Sequence, residues 1–314
     1  MSHPTTASFS DRLHSLCVSI VVLTFFLQIQ NAVAEQFDSS NPYQRDTAYV
    51  GIMSRLLFSA HRTDTSIATE MTFLDFMKNI GKKGVFKNYS SPDDVLRDMK
   101  NHRLDAILTN PLDYIDLAHQ INPTQQYSLT FADQLEQQIL LIVRKDLKIT
   151  QLNQLANKRL AFPAGNQLGK LYLDLILLRN KLAVSDDFFS EVHSGQDLNS
   201  AIIDLFFNKV DAALVTDVSY KLAIELNPQL SQEIEIFASS IPMIPLVIGI
   251  NRSVPSDFTQ QVELMVDNLD NYPRTLHLLS LFKANRIVRI NKKQLEPIRA
   301  LKAEYESLLS KNHK

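Results

Sequence analysis

A segment near the middle of the chain, KRLAFPAGNQLGK at residues 158–170, has the composition of a site for a charged solute. Its apolar start predicts a short buried strand that ends at Pro163, after which the chain turns at Gly165 and begins a helix near Asn166. Such a helix directs its unpaired N–H groups and the positive end of its dipole into the turn. Taken alone, the segment favours a plain structural connection between strand and helix, and an anion site is the alternative that the rest of the chain has to decide.

The sequence contains no recognisable catalytic or metal-binding motif. No serine lies in a nucleophile elbow, and the eight histidines lack a metal-ligand spacing such as H-E-x-x-H. With only seven glycines, the chain has neither a Walker loop nor a dinucleotide loop. We expect no cofactor, no metal and no enzymatic activity. A measured hydrolase activity that disappeared on changing Ser54 or His193 would support the enzymatic alternative.

Length and composition indicate a globular protein with room for two domains. The chain has 314 residues, of which 45% are hydrophobic and 21% are charged, as in ordinary globular proteins. Its formal net charge of -2 gives no reason to expect nucleic acid as a partner.

The first 34 residues have the features of a cleavable secretory signal peptide. A polar opening leads into an apolar run at residues 16–27, which is short for a membrane span, and an A-V-A cleavage motif follows at residues 32–34. The single cysteine, Cys17, lies inside the apolar run, so a mature chain that begins near Glu35 has none. These features predict export to a bacterial periplasm, with an uncleaved N-terminal anchor as the alternative.

Two segments about a hundred residues apart share one pattern. Leu104-Asp-Ala-Ile-Leu108 and Val210-Asp-Ala-Ala-Leu214 each follow an amphipathic helix, and a threonine comes one or two residues later. We interpret them as one helix-then-strand unit that occurs once in each of two α/β lobes. Asp105 and Asp211 fall at the strand starts, where we expect structural roles.

Two apolar segments divide the predicted lobes. Residues 138–145 and 241–250 are predicted to cross from one lobe to the other, which is the arrangement of a hinged two-lobe protein. Lobe 1 would comprise residues 35–137 and 241–314, and lobe 2 residues 138–240. We also expect three C-terminal helices, at residues 256–268, 273–283 and 292–310.

Four segments, in their order and spacing, resemble a known family. The first is Arg103-Leu-Asp-Ala-Ile-Leu-Thr-Asn-Pro-Leu-Asp-Tyr114, and the others lie at residues 141–146, 149–162 and 210–213. The chain resembles the periplasmic substrate-binding proteins of phosphonate, phosphite and phosphate ABC importers. The resemblance implies a type 2 periplasmic-binding fold of the α/β class. Its two lobes, each a mixed sheet flanked by helices, would be joined by two crossing hinge segments.

The resemblance also implies a function. The protein would close by hinge motion on a small anionic or polar ligand, phosphonate-like or phosphate-like, and deliver it to the membrane permease of an ABC transporter. The alternative is a periplasmic sensing subunit that regulates a membrane sensor kinase or diguanylate cyclase. Neighbouring permease and ATPase genes would favour transport, and a neighbouring kinase or cyclase gene would favour sensing.

The chain departs from the family's pattern where the family holds phosphonate oxygens. Asn166-Gln-Leu-Gly169 stands in place of the family's Ser-Thr-Ser-Gly, so two amides and a leucine replace three hydroxyl donors. Similarly, Asn110-Pro111 replaces Gly-Pro. Asparagine can cap a helix, so we expect the fold to persist. Loss of charge-assisted donors weakens oxyanion binding, so the ligand's identity is not carried over from the family.

The family places its ligand between the lobes, at strand carboxyl ends and helix N-termini. Tyr114 matches the family's aromatic wall, with a core tyrosine as the alternative. For Asn166 and Gln167 the alternative is plain helix capping, and for Arg55 it is an exposed surface position. The ligand-binding candidates are Tyr114, Asn166, Gln167, Gly165, Thr109, Asn110, Ser54, Arg55, Thr216 and Asp217.

Overall fold

The computed structural model describes residues 46–56, 62–163, 166–195, 198–281 and 283–312. The expected signal peptide at residues 1–34 lies outside these ranges. Within them, no helix combines the length and the apolar character that a membrane span requires.

Short apolar segments form the strands, and the turns between them carry polar residues and prolines. In chain order the strands are β1 (Thr47–Met53), β2 (Lys83–Tyr89), β3 (Ala106–Thr109), β4 (Ile121–Phe131), β5 (Ile139–Arg144), β6 (Arg159–Pro163), β7 (Glu191–Gly195), β8 (Ala212–Thr216), β9 (Ile234–Ser239), β10 (Val247–Asn251) and β11 (Ala284–Arg289).

Helices connect and cover these strands, and several begin after a polar cap or at a proline, as helix N-termini favour. They are α1 (Arg62–Asn79), α2 (Pro92–Lys100), α3 (Pro111–Leu117), α4 (Gln167–Arg179), α5 (Ser185–Phe188), α6 (Leu198–Phe206), α7 (Asp217–Leu226), α8 (Leu230–Glu233), α9 (Ser256–Asp267), α10 (Pro273–Ser280) and α11 (Lys292–Asn312).

Six of the described strands form the first sheet, in the order β11-β4-β10-β3-β1-β2. Strand β1 pairs in parallel with β2 and β3, as expected for strands connected through helices. Strand β10 is antiparallel to β3 and β4, and β11 is antiparallel to β4.

Five of the described strands form the second sheet, in the order β7-β6-β8-β5-β9. Strand β6 pairs in parallel with β7 and β8, whereas β5 is antiparallel to β8 and β9. Each sheet thus places three parallel strands beside an antiparallel one. The predicted α/β class, with two lobes that each contain a mixed sheet flanked by helices, is confirmed.

The chain passes between the sheets twice, from β4 to β5 and from β9 to β10. The two crossing segments are hydrogen-bonded to each other. The N–H of Gln137 donates to the carbonyl of Met243 at 2.8 Å, and the N–H of Met243 donates to the carbonyl of Gln137 at 2.9 Å. The crossings therefore form a short two-stranded connection between the sheets.

The main hydrophobic core lies on one face of the first sheet and continues into the second lobe. Met99 on α2, Tyr114 on α3, Leu175 on α4 and Ile298 on α11 all belong to this cluster. Helix α11 packs against α3 and α4 and so contacts helices of both lobes. The expected helix at residues 292–310 is confirmed, and its contacts extend beyond the lobe to which the sequence assigned it.

The repeated sequence pattern corresponds to a repeated structural device. Asp105 accepts a hydrogen bond from the N–H of Tyr49 at 2.7 Å, while its own N–H donates to the carbonyl of Tyr49 at 2.8 Å. Asp211 makes the same pair with Arg159, at 3.0 and 2.9 Å. Each aspartate thus fixes the start of its strand against the central parallel strand, which confirms the structural interpretation.

We expect Asp211→Asn to lower the free energy of unfolding by about 1–3 kcal/mol at neutral pH, because a buried charge-assisted hydrogen bond is weakened. Although burial opposes ionisation, the guanidinium and N–H of Arg159 outweigh it and lower the pKa of Asp211. A lowered pKa contributes stability above the unfolded-state value of about 4, and this contribution is lost as the pH falls through the folded-state pKa.

Denaturant unfolding of both proteins from pH 7 to pH 3 measures this effect. The difference in the free energy of unfolding between the wild type and Asp211→Asn should shrink below about pH 4. The exposed Asp267, at the end of α9, provides the matched control, since Asp267→Asn removes a carboxylate that is not buried. Equal stability of Asp211→Asn and Asp267→Asn at neutral pH would contradict the structural role.

The C-terminal region differs from the sequence-based expectation in one element. Helix α10 ends at Ser280, before the predicted residue 283, and Ala284–Arg289 form strand β11 at the edge of the first sheet. The strand is short, and Arg286 and Arg289 interrupt its apolar pattern. Charged residues are common on edge strands because they discourage pairing with other chains.

Candidate functional site

A cavity of about 890 Å³ reaches from the junction of the two sheets into the first lobe. Its polar end contains side chains from both lobes, and most of its remaining wall is apolar. Cavities that bind small molecules in proteins commonly have volumes of about 300–1,000 Å³. The residues that line the polar end include Asn110, Asn166, Gln167, Thr216 and Ser219.

Asn166 occupies the N-cap position of α4, where the sequence predicted a helix start. Its Oδ1 accepts a hydrogen bond from the N–H of Gly169 at 2.9 Å. A Cβ at residue 169 would lie 2.6 Å from Asn166 Nδ2, so glycine permits this close cap. Because Oδ1 is used within the helix, the amide group presents its N–H₂ donors to other partners.

Thr216 caps α7, a second helix of the same lobe. Its hydroxyl accepts from the N–H of Ser219 at 3.2 Å and lies 3.1 Å from the Ser219 hydroxyl. The next residue, Asp217, accepts from the N–H of Gln138 at 3.0 Å and pairs with Lys221 at 3.0 Å. The Asp217 carboxylate thus has its charge partner within its own helix.

Asn110 brings the first lobe to the same site. Its Oδ1 accepts from the N–H groups of Leu112 and Asp113 at 2.9 Å and so caps α3. Its Nδ2 donates to Asp113 at 2.5 Å and to Gln167 Oε1 at 3.5 Å. The contact with Gln167 joins the two lobes across the cavity.

The electrostatics of the polar end favour an anion at α4. Its first turn contains no acidic residue, whereas the first turn of α7 contains Asp217. The first N–H groups of an α-helix have no partner within the helix and carry the positive end of its dipole. The N-terminus of α4 therefore keeps its attraction for negative charge.

A match to a family model decides the class of the protein. The model described as "ABC transporter, phosphonate, periplasmic substrate-binding protein" matches residues 64–295. The chain belongs to this family of substrate-binding proteins. It is a solute-binding protein, and family membership favours this role over the sensing alternative. No curated protein sequence matches it.

Solved structures of similar fold agree in architecture at low sequence identity. The PhnD1 protein of Prochlorococcus marinus, in complex with methylphosphonate, has a TM-score of 0.59 at 15% identity, covering 85% of this chain and 99% of its own. A phosphonate-transporter binding protein of Pseudomonas aeruginosa has a TM-score of 0.59 at 14% identity, covering 83% of this chain and 87% of its own. A Xanthomonas citri protein bound to ATP has a TM-score of 0.61 at 13% identity, covering 85% of this chain and 99% of its own.

In this substrate-binding protein, four of the ten sequence-selected candidates line the cavity together. They are Asn110, Asn166, Gln167 and Thr216. Asp217 lies next to Thr216 and anchors Lys221, which also lines the cavity. These residues come from three different helix starts, which fold topology brings together at one end of the two sheets.

The other candidates lie elsewhere or outside the described residues. Tyr114 is 2% exposed in the main core, where burial raises its pKa to about 12, so the proposed site does not include it. Thr109 is fully buried at the end of β3. Ser54 lies in a short 3₁₀ turn and is not part of the cavity wall. Gly165 and the Arg55 side chain lie outside the described residues.

Sequence reasoning missed Ser219 and Lys221, which α7 adds to the cavity wall. For Ser219 the signal was present in T-D-V-S, since the residue three positions after an N-cap donates its N–H to the capping side chain. His193 is not part of the cavity wall, and its Nε2 lies 2.9 Å from Glu191 Oε1. In the described part of the chain, no group of three or more acidic, histidine or cysteine side chains could hold a metal ion.

Proposed function

We propose that the protein binds the anionic or polar head of a small solute at the polar end of the cavity and delivers the solute to the membrane permease of an ABC importer. One observation carries this proposal. The caps of α4 and α7 in one lobe, Asn166 and Thr216, line a single cavity together with Asn110 of the other lobe. A ligand held there would contact both lobes at once.

The chemistry of these groups suits an oxyanion such as a phosphonate. The Asn166 amide has N–H donors available, and the α4 N-terminus adds the positive end of a dipole. PhnD1, which shares this fold, is complexed with methylphosphonate. Amide donors stand here in place of the family's hydroxyl donors. They support recognition of the same class of anionic group through hydrogen bonds of different geometry.

The hinge that would close the lobes is proposed to lie at the paired crossings. The Gln137–Met243 pair supports boundaries there, with residues 35–137 and 241–314 in lobe 1 and residues 138–240 in lobe 2. Helix α11 then extends from its own lobe onto α4 of the other. An ion pair between Arg179 on α4 and Glu304 on α11, at 2.7 Å, adds to this contact.

Export is the remaining part of the proposal. Membership in a periplasmic family supports a periplasmic location for the mature chain. The signal peptide at residues 1–34, with cleavage before Glu35, would take it there. N-terminal sequencing of protein purified from the periplasm tests this directly: a first residue near 35 supports cleavage, and a retained residue 1 contradicts it.

Thermal unfolding with a panel of small anions tests the proposed function. A ligand at a hundred times its Kd stabilises the folded state by about 2.7 kcal/mol. For a protein of this size that corresponds to a rise in Tm of about 5–10 °C. The panel contains methylphosphonate, phosphite, phosphate and methylsulfonate, with choline as a cationic control. No shift with any anion, by thermal unfolding and by calorimetry, would contradict the proposal.

A further inference from the structure

We propose that the solute is a single-chain amphiphile, whose anionic head binds at the polar end of the cavity while its alkyl tail occupies the apolar depth beneath the first sheet. The inference rests on the proposed function, because it uses the same head site. It adds the apolar tail of the ligand, which the head site alone does not specify.

Both faces of the first sheet carry buried apolar residues, and the cavity lies on one of them. The main core covers one face. The opposite face has a cluster around Ile52 and Leu108, a cluster around Leu129 and Leu279, and further buried side chains such as Val262 on α9. Members of both clusters line the cavity, so the space between this face and helices α1, α9 and α10 is incompletely filled.

The depth of the cavity is mostly apolar. Val50 and Ile52 on β1, Phe76 on α1, Val262 on α9 and Leu279 on α10 line it, and each is less than a tenth exposed. Two threonines on α1 also belong to the wall, but elsewhere water has few hydrogen-bond partners, and apolar cavities take up apolar ligands. The cavity has the volume of roughly thirty water molecules in bulk, which is ample for an alkyl chain.

The apolar depth and the head site belong to the same cavity. The residues that line it run from Asn166 and Thr216 at the polar end to Val262 and Leu279 in the depth. A small anion would occupy the polar end alone and leave the apolar wall without contacts. A molecule with a polar head and an unbranched apolar tail has complementary chemistry along the whole cavity.

A homologous series of n-alkylphosphonates tests the inference by titration calorimetry. The wild-type protein is titrated with methyl-, butyl-, hexyl- and octylphosphonate, each below the concentration at which it forms micelles. Each methylene that enters the apolar depth should tighten binding by up to about fourfold. The gain should stop once the tail fills the space, and Asn166→Asp should weaken binding of every member of the series.

Two substitutions on different walls should each reduce the volume of the apolar part of the cavity. Ala106→Leu acts from β3 and Val266→Phe acts from α9, and both residues line the cavity. Each should reduce the preference for octylphosphonate over methylphosphonate by at least tenfold. As the new atoms enter a cavity, we also expect the unliganded variants to fold with an unchanged or higher Tm. The exposed Ala303 on α11 gives the control Ala303→Leu, which should keep the wild-type preference.

The outcomes separate this inference from the proposed function. Equal affinity for methyl- and octylphosphonate, within about threefold, overturns the amphiphile assignment and leaves the anion-binding role in place. A length dependence that survives unchanged in both Ala106→Leu and Val266→Phe also overturns it, since the tail would then bind elsewhere. Absence of binding by every member of the series overturns both the head site and the inference.

Discussion

Replacing Asn166 with aspartate should weaken binding of an anionic solute by about a hundredfold, which corresponds to about 2.7 kcal/mol. Aspartate is an excellent N-cap, so the hydrogen bond to the N–H of Gly169 and the helix start should persist. The change converts an amide donor into a like charge beside the bound head. Two like charges about 4 Å apart near a protein surface repel by roughly 4 kcal/mol, enough to account for the loss.

Calorimetry with the tightest-binding anion of the panel measures this effect, and the Tm of the unliganded protein shows that folding is intact. Asn153→Asp is the matched control, because Asn153 is exposed in a 3₁₀ turn of the same lobe and is not part of the cavity wall. Asn153→Asp introduces the same charge away from the cavity. Equal affinities of the two variants would show that Asn166 is not next to the ligand.

The second large effect concerns the helix shared by the lobes. We expect Ile298→Ala to lower the free energy of unfolding by about 2–5 kcal/mol, because a fully buried side chain in the main core is truncated and a void remains. At about 2–4 °C per kcal/mol, the Tm should fall by roughly 5–15 °C. Differential scanning calorimetry also shows whether the two lobes still unfold in one transition.

Ile203 on α6 gives the control for side-chain size and helix propensity. It is 41% exposed, and Ile203→Ala should change the free energy of unfolding by less than about 1 kcal/mol. If Ile298→Ala cost no more than Ile203→Ala, the placement of α11 in the shared core would be incorrect. Separate transitions for the lobes in Ile298→Ala alone would identify α11 as the element that couples them.

Local chemistry made much of the fold predictable. The capping residue Asn166, the glycine that accommodates it and the proline start of α2 are determined by nearest neighbours along the chain. The repeated L/V-D-A pattern identified β3 and β8, because a buried aspartate before an apolar run is unusual enough to be noticed twice. These signals needed no information about distant contacts.

Other features depend on contacts that a single sequence does not encode in a local pattern. Strand β11 carries Arg286 and Arg289 and forms because β4 supplies a partner. Tyr114 occupies a sequence position that suits a cleft wall, yet α11, nearly two hundred residues away along the chain, belongs to the core that buries it. The cavity beneath the first sheet is lined by residues of α1, α9 and α10 that come together only in the folded chain, which apolar periodicity does not reveal.

A crystal structure of the protein with a bound alkylphosphonate tests the central claim most directly. The account predicts that the phosphonate oxygens lie within hydrogen-bond distance of Asn166 and Thr216 and face Asn110 from the other lobe. The strongly scattering phosphorus atom identifies the head without ambiguity. Density for the head outside this cavity, or contacts restricted to a single lobe, would contradict the account.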